Sequence, residues 1–225
     1  MEFIDQTLRM FLTAAASPRP VPGGGAVSAL SAALAATMAE KAANFTLGKR
    51  KFASVQAEVQ DLRDQLSGLR SRLVKLIDAD AEAFLKLQGA QALPKTNPQE
   101  IAARQAQVDR ASAEAAEVPS VVADICVDLL VRTRRLAEIC NPRLLADVGV
   151  CAHVARGAML GAHLNVLVNL RGSMEMDRLD AATARNAERI ATCDDVVAAI
   201  DRLIDARSPT TPSSGESGMF ELPPL

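Results

Sequence analysis

Apolar and polar positions alternate at helical spacing through nearly the whole chain. The clearest run steps by fours and threes through Val55, Val59, Leu62, Leu66, Leu69, Leu73 and Leu76, a heptad seam that predicts one long helix over about 53–88. The stretch from Gly25 to about Phe45 is apolar nearly all round, with alanine at 29, 32, 33, 36, 39 and 43. Such a helix is buried and lets its neighbours approach closely. Ser28, Ser31, Thr37, Glu40 and Lys41 interrupt it before the ~20 apolar residues that a membrane span needs. A short helix is predicted from Ile4 to Ala15, stopped by Ser17-Pro18-Arg19-Pro20. Asn97-Pro98-Gln99-Glu100 supplies an N-cap, a first-turn proline and a capping glutamate, so a helix starts there and runs to about Glu117. Pro119 opens or kinks the next, which ends near Cys140; Asn141-Pro142 starts another to about Leu170, and a last one covers about 175–206. Strand-like runs are short and no hairpin turn separates them. The expectation is an all-α, bundle-like domain of about seven helices over 1–206, one of them long. The Ser-, Thr-, Pro- and Gly-rich segment 207–225 is expected to be a disordered tail.

Exceptions to this patterning are the candidate chemistry. Asp80 takes the next seam position after Leu76 and is followed by Ala83. A carboxylate on an apolar seam is at least partly desolvated, at a cost of several kcal/mol in order of magnitude unless it is paired. Asp78 and Glu82 fall beside the seam and are expected in solvent. Asp147 sits near the start of the Asn141 helix, where it favours the helix dipole, and Asn165 and Asn169 interrupt that helix's apolar stretch. Asn165 follows Asp147 by five helical turns, so the two share a face but stand about 27 Å apart. They cannot reach one substrate atom within one subunit. Gly157 and Gly161 give that helix small residues for tight packing; Asp147, His153, Arg156 and His163 argue against a membrane dimer motif.

The loop Pro22-Gly23-Gly24-Gly25 lacks the lysine of a P-loop and the preceding strand of a dinucleotide fold. Three glycines at a helix start either expose amides that hold an anion or make a turn that lets the alanine helix pack closely. Spacing alone favours the turn. Lys49, Arg50 and Lys51 read as a solvated helix end.

Composition removes several function classes. A net charge of −2 without any Trp or Tyr gives no basic face or stacking platform for nucleic acid. Cys126, Cys140, Cys151 and Cys193 have no C-x-x-C spacing, and Met1-Glu2-Phe3-Ile4-Asp5 lacks a signal peptide's basic and apolar regions. Reduced thiols in the cytoplasm are expected. His153 and His163, ten residues apart on one helix, stand about 15 Å apart and cannot share a metal within one subunit. No metal and no membrane contact are expected.

In order along the chain, these segments resemble the cyclodeaminase/cyclohydrolase family: formiminotransferase-cyclodeaminase C-terminal domains and stand-alone methenyltetrahydrofolate cyclohydrolases. The resemblance rests on Pro22–Gly25 with its alanine helix, Asn44 to Phe52, Asp80 to Phe84, Leu93-Pro94-Lys95, Val118-Pro119, Asn141 to Val150 and Gly161 to Leu170. It covers about 1–205. It implies a helical homodimer with a folate site in a groove and no cofactor beyond the tetrahydrofolate substrate. Its marked polar positions fall on Asp80 and Asp147, and on Gly23, Gly24, Gly25, Lys95, Asn141 and Asn165. The implied reaction is hydrolysis of 5,10-methenyltetrahydrofolate to formyltetrahydrofolate, with Asp80 as base and Asp147 as second charge. Lys95 and the loop amides would hold the folate tail's carboxylates. Cyclodeamination of formiminotetrahydrofolate is the alternative, and a non-catalytic folate-binding or scaffold protein a third. The chain departs from the family at Ala146, where Ser or Thr is usual, and at Leu85, where stand-alone cyclohydrolases often carry Asp.

Overall fold

A computed structural model describes residues 2–171 and 176–207. Its described residues form six α-helices: α1 (Leu8–Ala15), α2 (Gly24–Asn44), α3 (Gln56–Gln91), α4 (Pro98–Ile139), α5 (Leu145–Leu170) and α6 (Met176–Arg207). Short 3-10 segments precede α1, α3 and α5 at Phe3–Asp5, Arg50–Val55 (kinked at Phe52) and Pro142–Leu144. Arg207, the first residue of the expected tail 207–225, is the last residue of α6, and 208–225 lie outside the described residues.

Four helices, α2 to α5, make the bundle. α2 packs on α3 and α5, α4 packs on α3 and α5, and α6 lies over α4 and α5. The alanine stripe of α2 (Ala29, Ala32, Ala36, Ala39, Ala43) is fully buried. On α5 the close approach needs Gly161, because a Cβ there would lie 2.8 Å from the Ser28 hydroxyl oxygen. α2 and α5 run antiparallel: Ser28 meets Gly161 at one end, and Lys41 meets Asp147 at the other. Pro142–Leu170 alone among the described helices is long and apolar enough to cross a membrane, yet half of its apolar window is buried in the bundle.

Three expectations change. Separate helices on either side of Pro119 are one continuous α4, with Pro119 buried inside it. A proline has no N–H to give the carbonyl four residues back. Here that carbonyl, on Ala115, accepts a 2.7 Å bond from Asn169 Nδ2 of α5. Asn169 thus supplies the missing donor, and six α-helices stand where about seven were expected. The seam of α3 continues through Ile77, 1 % exposed, and Leu76 turns aside. A four-residue step after Leu73 keeps the stripe on one face of a straight helix. Asp78, expected in solvent, accepts a 2.6 Å bond from the backbone N–H of Phe3 and ties the N-terminal segment to α3.

Past Asp80, α3 and the first half of α4 run on beyond the bundle as a two-helix arm with its own contacts among Ala83, Leu87, Val108 and Ala111. The other end of the bundle is closed by Arg207, which donates to the carbonyls of Ala137 and Cys140 at the end of α4.

Candidate functional site

The first turn of α2 is the meeting point. Gly23 is its N-cap residue in an extended conformation, and Gly24 and Gly25 open the helix. Asp80 reaches in from α3, and Asn165 reaches in from α5 on the other side. A Cβ built on Gly25 would overlap the Asp80 carboxyl group, whose Cγ and Oδ2 would lie 2.5 and 2.7 Å away. A Cβ on Gly24 would stand 2.9 Å from Nδ2 and 3.1 Å from Oδ1 of Asn165. Gly23 is roomier, its nearest neighbour being the Pro20 carbonyl oxygen at 3.9 Å. The two inner glycines therefore exist to let two polar side chains lie against the helix start.

Asp80 is 8 % exposed. Burial pushes its carboxyl up to about 6, and a hydrogen bond from the Ala26 backbone N–H opposes part of that rise. Asp80 thus uses a free amide of the α2 first turn, where the helix dipole also favours an anion. The anion at this glycine-rich helix start is the protein's own carboxylate. A carboxyl titrating near neutrality can take a proton and return it, the requirement for general acid–base work. Asn165 anchors itself by donating from Nδ2 to the Gly161 carbonyl at 2.8 Å.

The remaining expected site residues lie elsewhere in the subunit. Asp147 pairs with Lys41 at 2.8 Å, at the opposite end of α2 and α5. That end is about 24 Å from Gly25 by the rise of α2. Asn141 is beside it: its side chain accepts from the Arg143 N–H at 3.1 Å, and its own N–H donates to Thr46 Oγ1 at 2.9 Å. Lys95 is exposed in the loop at the arm's tip, more than about 16 Å past Asp80 along α3. So the structure brings together Gly23, Gly24, Gly25, Asp80 and Asn165, sets Asp147 with Asn141 at the far end, and leaves Lys95 on the arm. Both departures from the family pattern, Ala146 and Leu85, are at exposed positions.

Sequence reasoning missed Lys41 as a partner. Its signal was a lysine closing an otherwise apolar helix, on the stripe that continues Val27 and Leu34. The histidines are separate in setting as well as in distance. His153 pairs with Asp201 at 3.1 Å on the surface, whereas His163 is buried and its ionised form is disfavoured by burial and by Arg189. The four cysteines are buried free thiols. Among the described residues no three His, Cys, Asp or Glu side chains converge on a point.

Residues 7–189 match the family described as formiminotransferase-cyclodeaminase. The methenyltetrahydrofolate cyclohydrolase of Methylorubrum extorquens is 35 % identical over 168 residues, covering 75 % of this chain and 81 % of that protein. The formimidoyltransferase-cyclodeaminase of Rattus norvegicus is 33 % identical over 168 residues, which is 75 % of this chain but 31 % of that longer protein. Among solved structures, formiminotetrahydrofolate cyclodeaminase from Thermotoga maritima superposes with a TM-score of 0.81 at 27 % identity, covering 91 % of this chain and 98 % of that one.

Proposed function

The chain belongs to the formiminotransferase-cyclodeaminase family, and from that premise we propose that it is a methenyltetrahydrofolate cyclohydrolase whose base is Asp80. The observation that carries the assignment is the buried Asp80 carboxyl, raised to about 6 and held against the first turn of α2 where Gly25 leaves it room. The substrate's bridging carbon is an amidinium carbon, cationic and already electrophilic. The protein has only to orient a water, accept its proton and hold positive charge.

Water oxygen adds to the bridging carbon while Asp80 takes one of its protons. The neutral adduct then breaks one carbon–nitrogen bond, and Asp80 returns the proton to the departing nitrogen. The adduct's hydroxyl proton leaves as the formyl carbonyl forms, so one proton is released per turnover. Asn165 is assigned to the adduct's oxygen, and Gly24 and Gly25 leave the room in which Asn165 and Asp80 lie against the start of α2. Asp147 and Asn141 are assigned to substrate binding with Lys41. Lys95 is assigned to the carboxylates of the folate tail.

The second reading, cyclodeamination of formiminotetrahydrofolate, uses the same carbon and a similar tetrahedral adduct but expels ammonia. It is favoured by the Thermotoga maritima protein, whose fold this chain shares. The Methylorubrum extorquens cyclohydrolase, 35 % identical to this chain, favours the first. Loss of the methenyl absorbance above the buffer rate tests the first reading, and ammonia release from the formimino substrate tests the second. No loss of the methenyl band would overturn the cyclohydrolase assignment.

We also propose that the chain is a homodimer. Supporting this is an exposed apolar face shared by α2 and α5, on which Leu34 is 56 %, Leu164 62 % and Val168 60 % exposed. Free, buried cysteines suit a reducing compartment, and the cytoplasm is the proposed site of action.

A further inference from the structure

Beside α1 lies an apolar cavity that no step of the proposed reaction uses. It holds about 160 Å³ and is lined inside by Phe3, Phe11, Leu30 and Ile77. Ile4 and Leu8, 40 % and 63 % exposed, line its rim, and Gln6 adds the one polar side chain. Its walls are fastened. Asp78 bonds the Phe3 backbone to α3, and the rings of Phe3 and Phe11 meet edge to face with centroids 6.1 Å apart. A cavity of about 150 Å³ lined by Leu, Ile and Phe stays dry and takes one benzene ring. Size and lining here call for the same guest, a single phenyl group.

A second cleft, of about 340 Å³, adjoins the cavity, since Gln6 lines both. Its charged lining residues are Arg9 and Arg19, and neither pairs with an acid among the described residues. Between positions 6 and 20 the chain carries these two cations and no acidic residue. The partner that fits both surfaces has an aromatic side chain next to a carboxylate.

Such a pair is present in the chain itself. Beyond Arg207 the single aromatic residue is Phe220, and Glu221 follows it. The stretch 208–225 has acids at Glu216 and Glu221 and no lysine or arginine. Reach permits the contact. Arg207 donates to the Cys140 carbonyl, and the N–H of the next residue, Asn141, donates to Thr46 just past the end of α2. Leu30 is sixteen residues back from Thr46, about 24 Å by helical rise. Thirteen residues lead from Arg207 to Phe220 and span up to about 43 Å when extended. We propose that residues 219–222 of this chain dock on its own α1, with Phe220 in the cavity and Glu221 beside Arg9. The contact covers the N-terminal segment one turn of α3 away from Asp80, because Ile77 precedes that acid by three residues. It rests on these two surfaces and not on the folate reading.

Fluorescence tests it. The chain has no Trp and no Tyr, so Phe220→Trp places a single fluorophore in the whole protein. Its emission is expected to lie blue of the same variant in denaturant, and acrylamide is expected to quench it severalfold less. Phe220→Tyr keeps the ring size where an indole is too large, and the same protection from quenching is expected. Leu8→Glu at the exposed rim, added to either probe, is expected to restore solvent-like quenching. Arg9→Glu is expected to raise quenching as well, and an unmoved value would overturn the pairing with Glu221. Solvent-like quenching of both probes in an otherwise native chain would overturn the docking. So would protection that Leu8→Glu leaves unchanged, because the ring would then be buried elsewhere. Protection that disappears on dilution would assign the guest to a second copy of the chain and overturn the intrachain contact.

Discussion

The carboxyl group of Asp80 occupies the space that a Cβ on residue 25 would need, so the acid on α3 and the glycine on α2 require each other. The contact places a buried carboxylate on the free amides of a helix start, with the Ala26 N–H as its hydrogen-bond donor. A proton acceptor that would otherwise sit unpaired in an apolar seam is thereby held ready. Consequences for stability, pH response and activity follow from this one contact.

Gly25→Ala must push Asp80 off the helix start. The overlap is with the carboxyl group of a buried side chain, so the cost is that of overpacking, about 1–3 kcal/mol, offset in part by alanine's better helix propensity. Activity is expected to fall with it. Gly23→Ala, where the nearest atom is 3.9 Å away, is expected to cost under about 1 kcal/mol. Urea midpoints of the two variants give the comparison; equal midpoints would contradict the packing described here.

Turnover is expected to follow the ionisation of Asp80. With its carboxyl at about 6, kcat/KM should fall tenfold per pH unit below that value and level off above it. Asp80→Asn is expected to lower the rate by about 100-fold or more and to abolish the acid limb. Initial rates of methenyl absorbance loss, corrected for the buffer reaction, provide the profile. Full activity in Asp80→Asn would show that another group is the base.

Stability should respond in the opposite sense. Burial raises the folded carboxyl of Asp80 from 3.8 to about 6, so folding favours the protonated form. That contribution is fully present below about pH 4 and is lost as pH rises to about 6, a change on the order of 2–3 kcal/mol. The stability difference between wild type and Asp80→Asn is therefore expected to fall across this window and stay flat above it. Denaturant titrations from pH 4 to 8 measure it, and a difference independent of pH would mean that Asp80 is not desolvated in solution.

Asn169 and Pro119 should be energetically coupled. Asn169 Nδ2 donates to the Ala115 carbonyl that Pro119 leaves without its helical partner. Asn169→Leu is expected to cost about 1–3 kcal/mol in wild type, because a buried carbonyl loses its donor. With Pro119→Ala the helix supplies its own N–H, and the same substitution should cost at least about 0.5 kcal/mol less. A double-mutant cycle on unfolding free energies gives the coupling; strict additivity would sever the two residues.

Much of the fold was legible in the sequence because it depends on local periodicity. The seam of α3, the alanine face of α2, and the caps at Asn97 and Asn141 each declare a helix within a few residues. Asp80 was visible for the same reason, as a charge in a position where the period demands an apolar residue. The five turns between Asp147 and Asn165 likewise showed that no single subunit joins them.

Tertiary contacts decided the rest. No local pattern says that Asn169 will repair the gap left by Pro119, since the donor comes from another helix 54 residues away in sequence. Nor does the glycine loop reveal its anion. Spacing left an amide cradle and a packing turn as rivals, and the folded chain makes both true, with Asp80 as the anion and Gly25 as the space it needs. The sequence determined which residues are helical and which of them break the apolar pattern, because those are properties of neighbours along the chain. Which polar residues meet was decided by the packing of α2 against α3 and α5, because hydrogen bonds and close approaches act across space.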